Sequence, residues 1–210
     1  MLEVSIVSQR PPANFIADSL GLDFLNSIAT PLDTPVDWLD GGDGLVDWLA
    51  RAGLAPRDAL DELRARAPAG ELDKIAEQAR TLREWFRGFV RAHMGRPLTP
   101  EALRELGPLN RLLEGDETFS RIGEGEGGRL ELRTIRRWRS PESLLPPIAE
   151  ALARFVCEED FANVKACEGH SCTLMFADHT RRRARRWCSM AICGNRAKQA
   201  AHRSRLKSRR

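Results

Sequence analysis

Four cysteines near the end of the chain, Cys167, Cys172, Cys188 and Cys193, form two equal pairs, each enclosing four residues, with fifteen residues between the pairs. Two short Cys loops joined by a longer connection bring four soft donors to one point, as a tetrahedral zinc ion with bonds of about 2.3 Å requires. The spacing therefore predicts one structural zinc ion. With all four positions filled by thiolates no place remains for a metal-bound water, so the metal is expected to fold the segment and do no chemistry of its own. Two disulfides are the alternative use of the same residues, but they would leave Cys157 over, and no basic-then-apolar export signal opens the chain. His170, His179 and His202 lie near enough in sequence to replace a cysteine.

Between the pairs stand Arg181, Arg182, Arg183, Arg185 and Arg186. A zinc tetrathiolate is formally doubly negative, and guanidinium groups beside it favour the thiolates. The run exceeds that need. Gly194 is expected to take a left-handed turn that aims backbone N–H groups at a cysteine sulfur, and Asn195 to cap the helix that follows. From Arg196 onward that helix shows a small-residue stripe, Ala197, Ala200, Ala201 and Ser204, between two polar rows. One row is Lys198, His202, Arg205 and Arg209; the other is Arg196, Gln199 and Arg203. A narrow smooth face with cationic edges suits a helix entering a duplex groove, where the edges meet phosphates on both walls. Duplex DNA is thus the expected partner, contacted by the five arginines of the run together with Arg196, Lys198, Arg203 and Arg205. An RNA binder would use the same charges and stack bases on an aromatic such as Trp187. A solvated tail without a fixed partner is the plain alternative.

Phe176, Asp178, Arg181, Arg186, Trp187, Cys188, Ser189, Met190, Cys193, Gly194, Asn195, Arg196 and Lys198 together resemble the CGNR zinc finger, named for the residues that here are Cys193, Gly194, Asn195 and Arg196. The likeness runs from about Cys167 to Arg205; Leu174 stands where family members often carry an aromatic. It implies an amino-terminal ABATE domain, described as a stress-induced transcription regulator, and Leu22, Asp23, Phe24, Leu25 and Asn26 resemble the LDFxN stretch near the start of such domains. The stress-related name also suits a thiol sensor that releases zinc on oxidation.

These residues need a scaffold, and composition bounds it. With 210 residues, 42% hydrophobic and 30% charged, the chain fits one main core plus a small module and reads as a soluble cytoplasmic protein without a membrane-spanning segment. The formal charge of +3 hides an asymmetry: residues 161 to 210 carry 13 Lys/Arg against 2 Asp/Glu, and residues 1 to 160 carry 20 against 28. A polyanion partner belongs at one end only. The expected organisation is mainly α: a helical body over residues 1–160 that senses a small-molecule effector or forms a homodimer, then the finger and its basic helix over 161–210. With no Ser/Gly-rich linker between them, the finger should dock on the body.

Apolar periodicity predicts helices over residues 15–28, 45–53, 56–67 and 71–94, another from Pro100 that Pro108 splits, and one after Pro141 reaching residue 160 with Cys157 as a buried small hydrophobe. A short strand is expected over residues 4–7. A hairpin of residues 119–122 and 129–134 flanks a Gly-rich tip, with Leu130 and Leu132 half-buried. Arg133, Arg136, Arg137, Arg139 and Trp138 make a second basic cluster, solvated or anion-binding. His93 falls on the apolar stripe of the longest helix and reads as a satisfied core-edge residue. Asp23 and Asn26, three apart, share a helix face. They either cross-link segments inside the fold or present a polar pair to a ligand pocket. No Gly-rich phosphate loop, nucleophile elbow or HExxH pair is present, so no enzyme is expected.

Overall fold

A computed structural model of the chain describes residues 11–30 and 35–207. In order, the elements are α1 (Leu20–Leu25), β1 (Ile28–Ala29), β2 (Val36–Asp37), α2 (Gly42–Ala52), α3 (Arg57–Arg66), α4 (Glu71–His93), α5 (Gly107–Glu114), β3 (Thr118–Glu124), β4 (Leu130–Arg136), α6 (Leu145–Glu158), β5 (Val164–Ala166), β6 (Met175–Ala177) and α7 (Asn195–Lys207). The expected strand over residues 4–7 and Arg209 lie outside the described residues.

The apolar stripe of α4, with Ile75, Ala79, Leu82, Phe86 and Phe89, is the spine of the core. Leu45, Trp48 and Leu49 seal α2 against it, as the three-to-four spacing in each helix requires. From the other side come α6 and the segment after it: Phe86 meets Phe155 edge-on with ring centroids 6.0 Å apart, and Phe155 meets Phe161 at 5.1 Å. Helix α1 is wedged between α4 and α6. Gly21 permits this, since a Cβ there would lie 2.6 Å from the Cβ of Phe155.

Several expectations are corrected. The helix over residues 15–28 shortens to α1, because Asp18 takes a left-handed φ of 62° and Ser19 after it is extended. Cys157 is exposed, since Ile148, Leu152 and Phe155 occupy the inward side of α6. The hairpin β3–β4 forms, with Ile122 opposite Leu132, but no described residue buries Ile122, Leu130 or Leu132. Leu130 is 83% exposed, Leu132 70% and Ile122 67%. Alternation thus identified a strand and not its burial. The second basic cluster is largely neutralised: Arg136 pairs with Asp116 at 2.6 Å and Glu150 at 2.9 Å, Arg139 pairs with Glu117 at 3.3 Å, and Arg137 lies over the Phe119 ring. Pro108 does open a new helix, α5, after a 3-10 turn over Pro100–Glu105. His93 bonds to Glu105 through Nε2 at 3.1 Å.

Two arginines inside α4 escape periodicity altogether. Arg83, 2% exposed, donates to both carboxylate oxygens of Asp37 at 2.8 and 2.7 Å, to the Ser27 hydroxyl at 3.0 Å and to Glu84 at 2.9 Å. Arg87 donates to Glu84 at 3.0 Å and to the Leu25 carbonyl. Together they tie the β1–β2 pair to the core helix. Burial would raise the Asp37 carboxyl, but the hydrogen bonds from Arg83 and the Leu39 N–H outweigh it and hold the group below its usual range.

Asp23 and Asn26 serve the fold's own backbone, which is the cross-linking role, the first of the two expected for them. Asn26 donates to the Met175 carbonyl at 2.8 Å and accepts from the Met175 N–H at 3.0 Å, a two-way clamp on β6. Asp23 accepts from the Ile16 and Ala17 N–H groups at 2.9 and 3.0 Å. The Ala17 carbonyl in turn accepts from Ala177 of β6 at 3.2 Å. The finger is therefore docked on the body through residues 16–18 and α1.

Asp37→Ala, which strands the Arg83 guanidinium in the core, should cost about 3 kcal/mol in urea unfolding. Asp23 gives a pH signature of opposite sign to an ordinary acid. Burial pushes its carboxyl up to about 6 against the two N–H bonds, so the stability this group contributes is lost as pH rises from its unfolded value toward 6. Asp23→Asn keeps an acceptor but cannot ionise; its stability relative to wild type should rise between about pH 4 and about pH 6 and level off above, read by urea unfolding at each pH.

Candidate metal centre

Two pieces of backbone carry the four cysteines. Strands β5 and β6 pair antiparallel, Val164 with Ala177 and Ala166 with Met175, and the loop between them holds Cys167 and Cys172. The second piece descends through Cys188, makes a π-type turn over Met190–Gly194 that carries Cys193, and runs straight into α7. Ser189 caps this turn by accepting from the Ala191 N–H at 3.2 Å. The expected roles of Gly194 and Asn195 are thereby corrected. Gly194 is not left-handed; its N–H reaches back five residues to the Ser189 carbonyl, and a Cβ there would fall 2.7 Å from the Met190 sulfur. Asn195 already lies within the helix and donates from Nδ2 to the Ala191 carbonyl at 3.4 Å.

The sulfur atoms of Cys167, Cys172, Cys188 and Cys193 all lie within 4.8 Å of one another. Cys172 and Cys188 are 3.8 Å apart, and Cys188 and Cys193 3.6 Å. A tetrahedron with zinc–sulfur arms of about 2.3 Å has edges of about 3.8 Å, so these spacings fit the ion. They are far from the roughly 2.05 Å of a disulfide. Among the described residues no histidine joins the group, and His179 instead bonds to Glu159 at 3.0 Å.

Electrostatics point the same way. The hydrogen bond from Cys188 pulls the Cys172 thiol down to about 5, whereas donating that bond pushes Cys188 up, and burial takes Cys193 up to about 12. Left to themselves, the crowded sulfurs ionise one at the expense of its neighbours. A dication lets all four be thiolates at once. Two backbone donors assist: the N–H groups of Gly169 and Cys188 point at the Cys167 sulfur from 3.4 and 3.2 Å.

The arginine run divides. Arg185 is a brace: it donates to Asp18 at 2.6 Å, the Ile16 carbonyl at 3.2 Å, the Trp187 carbonyl at 3.1 Å and the Cys188 carbonyl, while its guanidinium lies 4.3 Å over the Phe176 ring. It is therefore held inside the finger–body seam, which corrects its assignment to a nucleic-acid surface. Arg186 pairs with Glu168 at 2.6 Å and covers Trp187, and Arg183 lies 3.7 Å from Asp160. Arg181 and Arg182 are exposed. Beneath the run, wholly buried Asp178 accepts from Lys165 at 2.7 Å, the Thr180 hydroxyl at 2.6 Å and the Arg185 N–H at 2.9 Å. Burial alone would raise its carboxyl; these bonds outweigh burial and drive it far below the usual range. Asp178 is among the residues that carry the CGNR likeness, but no periodic signal in the sequence gives its role as this hub.

Arg196, Lys198, Arg203 and Arg205 all lie on α7, which contains no acidic residue. Its faces differ. Arg196, Ala197, Gln199, Ala200 and Arg203 border a cleft against the zinc knuckle, while Lys198, Ala201, His202 and Arg205 fall on the opposite side of the helix.

One zinc per chain should be measured by elemental analysis of the purified protein, and Cys188→Ser should abolish it while most of the far-UV helical signal of the body remains. Cys157→Ser, outside the cluster, should leave the zinc content unchanged.

Two family models match the chain. One, described as "ABATE: Putative stress-induced transcription regulator", covers residues 18–159; the other, the CGNR zinc finger, covers residues 163–206. No curated protein matches it significantly. Among the described residues, no helix is long and apolar enough to cross a membrane. The first model spans more than half of the 210 residues and the second falls on the four-thiolate zinc site, so the chain belongs to the ABATE family and carries a CGNR zinc finger.

Proposed function

We propose that the chain is a zinc-dependent DNA-binding regulator, in which the finger presents α7 to a duplex and the helical body conveys a signal to it. The observation that carries this reading is α7 itself. It leaves directly from the turn holding Cys193, lacks acidic residues, and is exposed from Lys198 through Leu206. So short and polar a helix gains little from burial, and a polyanion supplies the charge it lacks. The family's description as a transcription regulator supports the same reading.

The outer row, Lys198, His202 and Arg205, with Arg181 and Arg182 of the run, is the phosphate-contacting surface. Arg196 and Arg203 border it from the cleft side, and Arg183 and Arg186 reach it once they release Asp160 and Glu168. RNA is the weaker reading, because half-buried Trp187 has Arg186 over its ring at 5.1 Å and offers little face for a base.

With about six phosphates engaged, log affinity for duplex DNA should fall with log salt at a slope near −5. Lys198→Gln with Arg205→Gln should flatten that slope by about 2. Fluorescence anisotropy over a salt series reads both, and a slope near zero for the wild-type protein would sink the proposal.

A further inference from the structure

A cleft of about 530 Å³ lies beside the zinc knuckle, where the inner face of α7 stands off from the body. That volume falls within the roughly 300–1,000 Å³ of small-molecule sites. Ala197, Ala200 and Ile192 line it from α7 and the turn before it, Ala29 at the end of β1 lines it from the body, and Leu174 with Cys172, Cys188 and Cys193 lines it from the zinc knuckle. Most of the exposed lining is apolar, with Asn14, Thr30, His170, Ser171 and Gln199 as its uncharged polar members. The one carboxylate among the described lining residues, Glu168, is already held by Arg186 at 2.6 Å.

Arg196 and Arg203 border this cleft two helical turns apart, about 10.5 Å along the axis, so their long side chains bracket it. Neither has an ion-pair partner among the described residues, in contrast to Arg183, Arg185 and Arg186 nearby. An apolar lining with two unpartnered guanidinium groups selects by charge and by surface at once: a cation is repelled, an inorganic anion leaves the apolar walls in contact with water, and a neutral molecule leaves the arginines without a counter-charge.

We propose that this cleft binds a small organic anion with an apolar body, an aromatic or branched carboxylate or sulfonate, its charged head between Arg196 and Arg203 and its body against Ala29, Leu174, Ile192 and Ala200. One wall belongs to α7 and the other to the body, so an occupant favours the arrangement in which the helix stands over the body. The assignment does not rest on DNA recognition, and its test reads ligand binding alone.

The probe is anilinonaphthalene sulfonate, an apolar anion whose fluorescence reports a shielded site, titrated into the zinc-loaded full chain. Saturable single-site binding is expected. Ala200→Trp fills the cleft from an exposed helix position that the core does not use, and Arg196→Gln with Arg203→Gln removes its charge. Each variant should bind the probe at least about tenfold more weakly with its zinc content intact, and uncharged phenylnaphthylamine should bind wild type about tenfold more weakly than the sulfonate does. Three results would overturn the proposal: binding that survives both variants, as it would if the exposed hairpin residues Ile122, Leu130 and Leu132 held the probe; equal binding of the uncharged analogue; or no saturation.

Discussion

Four sulfur atoms within 4.8 Å of one another cannot all be negative unless a cation lies among them, and the carboxyl-terminal quarter of this protein is arranged around that constraint. The module has almost no core of its own. Its strands are three residues each, and their buried side chains, Val164, Met175 and Phe176, join the apolar cluster of the helical body. The metal supplies the local closure that so small a segment cannot obtain from apolar burial. Without it, the turn carrying Cys193 has no anchor, and α7 has no fixed origin.

A second constraint follows from charge. The segment after residue 160 is strongly basic and the body before it acidic, yet the two share an apolar core and a few polar bonds of defined geometry. Arg185 reaches across the seam to Asp18 and the Ile16 carbonyl, while Asp23 and Asn26 hold the body's side of that seam. Positive charge in this region therefore has separate functions. Arg185 braces, Arg186 and Arg183 are paired at the surface, and Arg196 and Arg203 of α7 have no ion-pair partner among the described residues. Counting arginines overstates the binding surface, because a guanidinium with several internal acceptors costs too much to withdraw.

The body shows the same division between pattern and partner. Apolar repeats of three to four residues located α2, α3 and α4 to within a few residues, and Pro108 opened α5, because both signals are local. The repeats are silent about Arg83 and Arg87, which occupy buried positions of α4 as charged groups and are tolerated there only because Asp37, Glu84 and backbone carbonyls meet them. Leu130 and Leu132 alternate as strand residues should, yet burial depends on a second layer that the hairpin lacks. Cys157 is likewise apolar by type and outward by its position on α6.

What the sequence determined by itself was the zinc site, the helical class and the basic final helix, since equal cysteine pairs, periodicity and uninterrupted positive charge are each encoded within a short stretch of chain. What only the tertiary structure decided was which polar residues are left for function. Asp23 and Asn26 became structural, Arg185 became a brace, and α7 acquired an inner and an outer face. The reason is distance along the chain: Asn26 meets its partner 149 residues away and Arg185 meets Asp18 across 167, and no local pattern reports whether so remote a partner exists.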